Sequence, residues 1–127
     1  MIESRVSTNP RILYIDKDRN SSNLMKRILE ADGFSVSLAS NVLKGLLLAR
    51  VECPDLILLD IDMPGLNGYE ITRRLRRIEH TRDTPIIVVS SSCDPKARTL
   101  NAQAGCNHYI IKPIDVDRIA EQIGTFL

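Results

Sequence analysis

The sequence predicts a single α/β domain, a doubly wound five-stranded parallel sheet with helices on both faces. Three observations carry the prediction. Short apolar runs alternate with helical stretches five times along the chain. Parallel strands need long crossovers, and helices supply them. Two runs, Leu56 to Leu59 and Pro85 to Val89, are continuously apolar rather than alternating, as befits strands covered on both faces. Four of the strands end in polar residues: Asp16, Asp60, Ser90 and Lys112. In open parallel sheets function gathers at the carboxyl ends of the strands, beside a switch in strand order.

The elements follow in order. Arg11 to Ile15 is the first strand. Ser21 to Asp32 is a helix with Leu24, Ile28, Leu29 and Ala31 in a stripe, and Gly33 ends it. Phe34 to Ala39 sets Phe34, Val36 and Leu38 against serines with a period of two, which reads as an edge strand with one wet face. Asn41 caps a second helix, Val42 to Val51, which stops before Pro54. Leu56 to Leu59 is the third strand, closed by Asp60 and the turn Met63-Pro64-Gly65. Gly68 to Ile78 is the third helix, with Ile71, Leu75 and Ile78 on one side. Pro85 to Val89 is the fourth strand, Pro95 to Ala104 the fourth helix with Gly105 after it, and His108 to Ile111 the fifth strand. Asp115 or Asp117 starts a last helix that points Ile119, Ile123 and Phe126 inward. Residues 1–10 read as a flexible lead-in and residues 11–127 as the domain.

Composition bounds the function. The chain has 127 residues, 43% hydrophobic and 26% charged, enough for one core and too ordered in makeup for a disordered segment. A net charge of +1 points to neither nucleic acid nor an acidic membrane surface. No apolar run reaches the length of a membrane span. Residues 1–10 lack the layout of a secretion signal. Cys53, Cys93 and Cys106 are odd in number and widely spaced, which fits small buried thiols in a reducing, cytoplasmic setting. His80 and His108 have no ligand spacing with them, which argues against zinc.

The strand ends suggest the chemistry. Asp60 sits at the tip of an apolar strand, where a rigid backbone should present its carboxylate to solvent. Asp16 and Asp60 together suit a hard divalent cation such as magnesium. Ser90 and Lys112 at the same rim suit the oxygens of a phosphoryl group. Phosphoryl transfer needs positioning and charge neutralisation more than covalent machinery, and an aspartate can itself accept the group as an acyl phosphate. One aspartate at a strand end is more often a loop or cap residue; four matched polar tips favour a site.

The stretches Ile12-Leu13-Tyr14-Ile15-Asp16, Pro54 through Gly65 with Asp60-Ile61-Asp62-Met63-Pro64-Gly65, Pro85 through Ser91, and Tyr109-Ile110-Ile111-Lys112-Pro113 resemble the receiver (response-regulator) domain of two-component signal transduction. The resemblance runs from about Arg11 to Leu127. It implies the flavodoxin-like strand order 2-1-3-4-5 and a phosphoprotein that takes its phosphoryl group on Asp60 from a histidine kinase or histidine phosphotransfer protein. Asp16, Asp60 and the backbone carbonyl of Asp62 would hold Mg2+. Lys112 would pair with Asp60 and then with its phosphate. Ser90 would be the switch hydroxyl and Tyr109 the switch aromatic, turning inward as Ser90 moves. Side chains two residues past Asp60 and Ser90 would tune the lifetime of the acyl phosphate. The domain would be no enzyme beyond self-phosphorylation from a donor and self-dephosphorylation. It would act on a downstream target or on an output domain in a longer protein, as a signal-transduction or phosphorelay module.

One position departs from the pattern. Receivers usually carry two consecutive acids after the first strand, and here Lys17 follows Asp16. A +1 and a +2 charge at roughly 4 Å repel by about 8 kcal/mol at an effective dielectric of about 20, before relaxation or screening. Lys17 must therefore leave the site or replace the metal. Three outcomes stay open. The ammonium extends to solvent and Asp18 or waters complete a weaker metal site. It sits between Asp16 and Asp60 as a built-in cation. Or the domain is a degenerate receiver, a protein-interaction module that works without phosphorylation.

The remaining features read more plainly. Arg73-Arg74-Leu75-Arg76-Arg77, with Arg82 nearby, reads first as a solvated helix face whose last-turn charges suit the helix dipole, with a patch for nucleic acid or an acidic partner as the alternative. The fourth helix, fifth strand and last helix, where such domains meet partners, offer Lys96, Arg98, Asn101, Gln103, His108 and Asp117. A flavin carrier of the same topology is the competing class. Asp16-Lys17-Asp18-Arg19-Asn20 is not the phosphate-cradling loop it needs, and the chain has no tryptophan.

Overall fold

The computed structural model describes residues 9–62 and 67–127. The Met63-Pro64-Gly65 turn and most of the lead-in lie outside the described residues. Five strands, β1 (Arg11–Ile15), β2 (Ser35–Ala39), β3 (Leu56–Asp60), β4 (Ile86–Ser90) and β5 (His108–Ile111), pair in parallel in the order β2-β1-β3-β4-β5. The order reverses beside β1 and β3, so the tips of these two central strands face the crevice where the connections diverge. Register aligns those tips: Ile15 pairs with Leu59, Asp60 with Val89, and Ser90 with Ile111. The residues just beyond, Asp16 and Lys112, thus join Asp60 and Ser90 at one rim.

Alternation along the strands divides the interior in two. Ile12, Tyr14, Leu56, Leu58, Ile87, Val89 and Ile110 face α1 (Arg19–Ala31) and α5 (Ile119–Gly124), where Met25, Leu29, Ile119 and Ile123 close over them. Leu13, Ile15, Ile57, Leu59, Ile86 and Val88 face the other way, toward Ala49 of α2 (Val42–Glu52) and Ile71 and Leu75 of α3 (Gly68–Arg77). Every residue of β3 and β4 is buried. Each fully buried Leu, Ile or Val in these strands contributes about 2 kcal/mol, which keeps the strand tips fixed. α2 lies close on β1 at Gly45, where a Cβ would come within 2.6 Å of the Ile15 Cδ1.

Local chemistry moves some predicted boundaries. α1 begins at Arg19, two residues before Ser21, because Asp18 caps it: its carboxylate accepts from the Asn20 N–H and the Ser21 hydroxyl. Asp115 organises a turn by accepting from the Asp117 N–H, and the regular part of α5 starts only at Ile119. Pro10 is already tied down, its carbonyl accepting from the Ser35 N–H. α4 (Pro95–Ala104) starts on the Asp94 cap and ends on Gly105 at φ 116°. A short 3-10 turn, Glu79–Thr81, follows α3.

Three surface expectations are corrected. Cys53 and Cys93 are exposed, the first as the left-handed cap of α2 and the second in the loop after β4; Cys106 alone is partly buried. Arg76 leaves the exposed basic face. Its half-buried guanidinium donates to the carbonyls of Thr81, Thr84 and Gly105 and to the Asn107 side chain. Asn101 is likewise not a surface residue: it is buried and donates to the Ala97 carbonyl.

Candidate functional site

The four strand tips converge. Asp60 closes β3 with 1% of its surface exposed, so the expectation of a solvent-facing carboxylate is wrong. Neighbouring polar groups cover it. The Asp62 N–H donates to one carboxylate oxygen at 2.8 Å, and the Lys112 ammonium stands 2.6 Å from the other. Lys112 reaches in from the end of β5, before a cis bond to Pro113. Burial would push this ammonium down, but the Asp60 and Asp62 carboxylates outweigh it and the net shift is upward. Lys112 therefore stays charged at neutral pH.

Asp16 is buried beside Asp60. One of its oxygens accepts from the Asp18 N–H at 2.9 Å, and the other, Oδ2, is buried without a hydrogen-bond partner. Burial raises its carboxyl above the usual range; the Asp18 N–H opposes this and the charge of Asp60 adds to it. A buried, unpartnered oxygen next to a second carboxylate lacks a positive partner, and it fits a hard cation with oxygen ligands. Asp16, Asp60 and the Asp62 carbonyl are the residues that would hold Mg2+. The side-chain donor set is thin: no cluster of three or more His, Cys, Asp or Glu suited to a metal occurs among the described residues.

Lys17 is exposed and pairs with neither Asp16 nor Asp60 among the described residues. This is the side-chain placement that the first of the three arrangements requires and the third allows. The built-in-cation arrangement is absent: the ammonium on Asp60 belongs to Lys112. Asp18 does not complete a metal site either. It is exposed and committed to capping α1, and the Ser21 hydroxyl and the Asn20 N–H lower its carboxyl.

Ser90 is buried at the tip of β4. Its hydroxyl donates to Asp62 Oδ1 at 3.0 Å and accepts from the Ser92 N–H. Tyr109 is turned inward against the α2–α3 side of the sheet, its hydroxyl donating to the Ser92 carbonyl at 2.9 Å. Arg98 lies over the ring at 5.6 Å. The ring is thus packed inward while the Ser90 hydroxyl is held by Asp62.

The resemblance gave Asp62 a backbone carbonyl for the metal and a side chain that tunes the acyl phosphate; the donors its carboxylate engages were not foreseen. Its carboxylate accepts from the Ser90 hydroxyl, accepts from the Ser91 N–H at 2.8 Å, and lies 3.2 Å from Lys112 Nζ. Burial would raise this carboxyl, but the bonds from Ser91, Lys112 and Ser90 lower it on balance. The signal was present in its place two residues beyond Asp60. The engagement of three donors at once required the strand register.

Beside Lys112 an open, mostly apolar groove of about 500 Å³ runs between α1 and the loop after β5, lined by Leu24, Met25, Pro113, Ile114 and Val116. Among the described residues no helix is long and apolar enough to cross a membrane.

The sequence profile of the response regulator receiver domain matches residues 12–124. Protein PilH of Pseudomonas aeruginosa is 34% identical over 117 residues, covering 92% of this chain and 97% of PilH. The polar-differentiation response regulator DivK of Brucella anthropi is 34% identical, covering 91% and 94%. The DNA-binding dual master transcriptional regulator RpaA of Synechocystis is 35% identical, but the chain spans only 49% of its length. Among solved structures, the receiver domain of the sensor histidine kinase PA1611 of Pseudomonas aeruginosa, with magnesium in its active-site cleft, superposes with a TM-score of 0.83 at 26% identity over 94% of this chain and 98% of that one. The chemotaxis protein CheY4 of Vibrio cholerae superposes with a TM-score of 0.89 at 20% identity over 94% and 100%, a likeness of fold alone.

Proposed function

The chain belongs to the response regulator receiver family, and from that membership we propose that it is a phosphoacceptor domain with Asp60 as the accepting residue. The observation that carries the reading is the 2.6 Å pair between Lys112 and the buried Asp60 carboxylate, with Ser90 on the adjoining strand. A carboxylate oxygen of Asp60 forms the new P–O bond as the P–N bond of a phosphohistidine donor breaks and the electron pair leaves with the imidazole. Lys112 and Ser90 neutralise and orient the incoming oxygens. Bound Mg2+ would neutralise further charge on the phosphoryl oxygens. The groove beside Lys112 is the place for the histidine kinase or phosphotransfer protein to dock. The readout runs through Ser90 and Tyr109 as a shift between two states, toward a downstream protein or an output domain. The domain needs no catalysis of its own beyond transfer from the donor and loss of its own phosphate, and a cytoplasmic setting suits these partners.

Incubation with acetyl phosphate and Mg2+, followed by intact-mass spectrometry, tests the assignment. One phosphoryl adduct is expected on the native chain and none on Asp60→Asn. An adduct of equal yield on Asp60→Asn would overturn it.

A second reading, interaction without phosphorylation, is supported by the inward Tyr109 and by the engagement of Ser90 and Lys112 by Asp62. Partner binding unchanged by Asp60→Asn would favour it.

A further inference from the structure

α2 exposes a stripe the fold does not use. Leu43, Leu47 and Val51 recur every four residues and are 79%, 57% and 67% exposed. The inward side of the helix is made by Gly45 and Ala49 instead. A helix apolar on both sides ordinarily has partners on both, and here about 12 Å of helix lacks one. Beside the stripe, a groove of about 220 Å³ between α2 and α3 is lined by Leu46, Arg50, Arg74, Arg77 and Ile78. All three arginines are exposed, and none forms an ion pair among the described residues. The one carboxylate of α2, Glu52, is turned away and accepts from the Ser37 hydroxyl. Glu79 is an acid on the 3-10 turn that packs near α2.

We propose that this face docks a helix of another protein whose own apolar stripe is edged with carboxylates. The charge pattern selects that occupant. A second copy packed antiparallel about a two-fold axis would set the arginine flank against itself. Packed parallel, it would set that flank against the Lys44 side. Both juxtapose like charges. A lipid surface offers nothing rod-shaped to fill the strip between the two helices. A helix laid there buries leucines on Leu43, Leu47 and Val51 while its carboxylates meet Arg50, Arg74 and Arg77.

The probe is a synthetic amphipathic peptide with leucines at i, i+3, i+4 and i+7 edged by glutamates. Its control is the same peptide with lysines for glutamates. Binding is read from amide chemical shifts of the whole chain. Shifts confined to α2 and α3 are expected with the glutamate peptide. Leu47→Asp, at an exposed position that leaves the fold intact, weakens binding at least about tenfold. Arg74→Glu with Arg77→Glu transfers the preference to the lysine peptide. The proposal is overturned if the glutamate peptide leaves these amides unmoved, if Leu47→Asp has no effect, or if the double variant keeps the original preference. It is overturned equally if Leu47→Asp abolishes a dimer seen by light scattering, or abolishes sedimentation with phosphatidylserine vesicles, while the peptide does not bind.

Discussion

Removing the Asp62 carboxylate should speed phosphoryl acceptance. In the ground state this side chain takes the Ser90 hydroxyl, the Ser91 N–H and Lys112, at 3.0, 2.8 and 3.2 Å. Two of these donors, Lys112 and Ser90, are the groups that on the proposed reading meet an arriving phosphoryl group. The bonds lost as Asp62 lets go are largely replaced by bonds to phosphoryl oxygens, so their net cost is small. The repulsion is not replaced. A unit charge at about 5 Å from a group of charge about −2 costs roughly 2 kcal/mol when solvent raises the effective dielectric to about 60. Part of the Asp62 side chain faces water, so the screened value is the appropriate one. A barrier lower by about 2 kcal/mol corresponds to a rate about thirtyfold higher. Asp62→Ala should therefore be labelled by acetyl phosphate about tenfold to thirtyfold faster, measured as the initial rate of adduct formation. Asp62→Asn, which keeps the shape without the charge, should recover most of that gain. A folded Asp62→Ala protein labelled no faster than the native chain would refute the reasoning.

Three further outcomes are expected. Lys17→Asp, which places a second acid beside Asp16, should tighten Mg2+ at least about tenfold by calorimetric titration, since it changes the local charge by two units. Asp16→Asn, measured in chelator, should raise the melting temperature at pH 7. The folded-state pKa of Asp16 is raised, so its ionisation removes stability as pH climbs from the ordinary carboxylate range through the raised value; the advantage of the variant should vanish below that range. Arg76→Ala should cost about 3 kcal/mol in urea unfolding because it strands several carbonyls, whereas Arg73→Ala, whose side chain lies over the exposed side of Tyr69, should stay within about 0.5 kcal/mol.

The strands and the polar rim were legible because burial on two faces writes itself as unbroken apolar runs. Leu56 to Leu59 and Ile86 to Val89 have no other reading in a chain of alternating elements. The edge position of β2 followed from the serines opposite Val36 and Leu38. Asp16, Asp60, Ser90 and Lys112 could be grouped before their distances were known, since parallel strands present their carboxyl ends along one edge of the sheet. What stayed hidden depends on side-chain choice rather than pattern. Asp18 read as a candidate to complete the metal site, and it caps α1 instead. Arg76 looked like its neighbours in a basic run until the carbonyls around Gly105 drew it inward. The burial of Asp60 comes from residues 2 and 52 positions along the chain, Asp62 and Lys112, and local sequence says nothing about such a lid.

The Arg76 guanidinium has a mechanical corollary. By gripping Gly105 together with Thr81 and Thr84, it rivets the far end of α4 to the base of α3. Among the described residues no guanidinium grips the near end, after Ser91 and Ser92, in that way, and it carries the link to Tyr109. Any rearrangement of α4 must then be a swing about Gly105, largest at Pro95 and smallest at Ala104, so a spectroscopic label at Lys96 would register it and one at Gln103 would not.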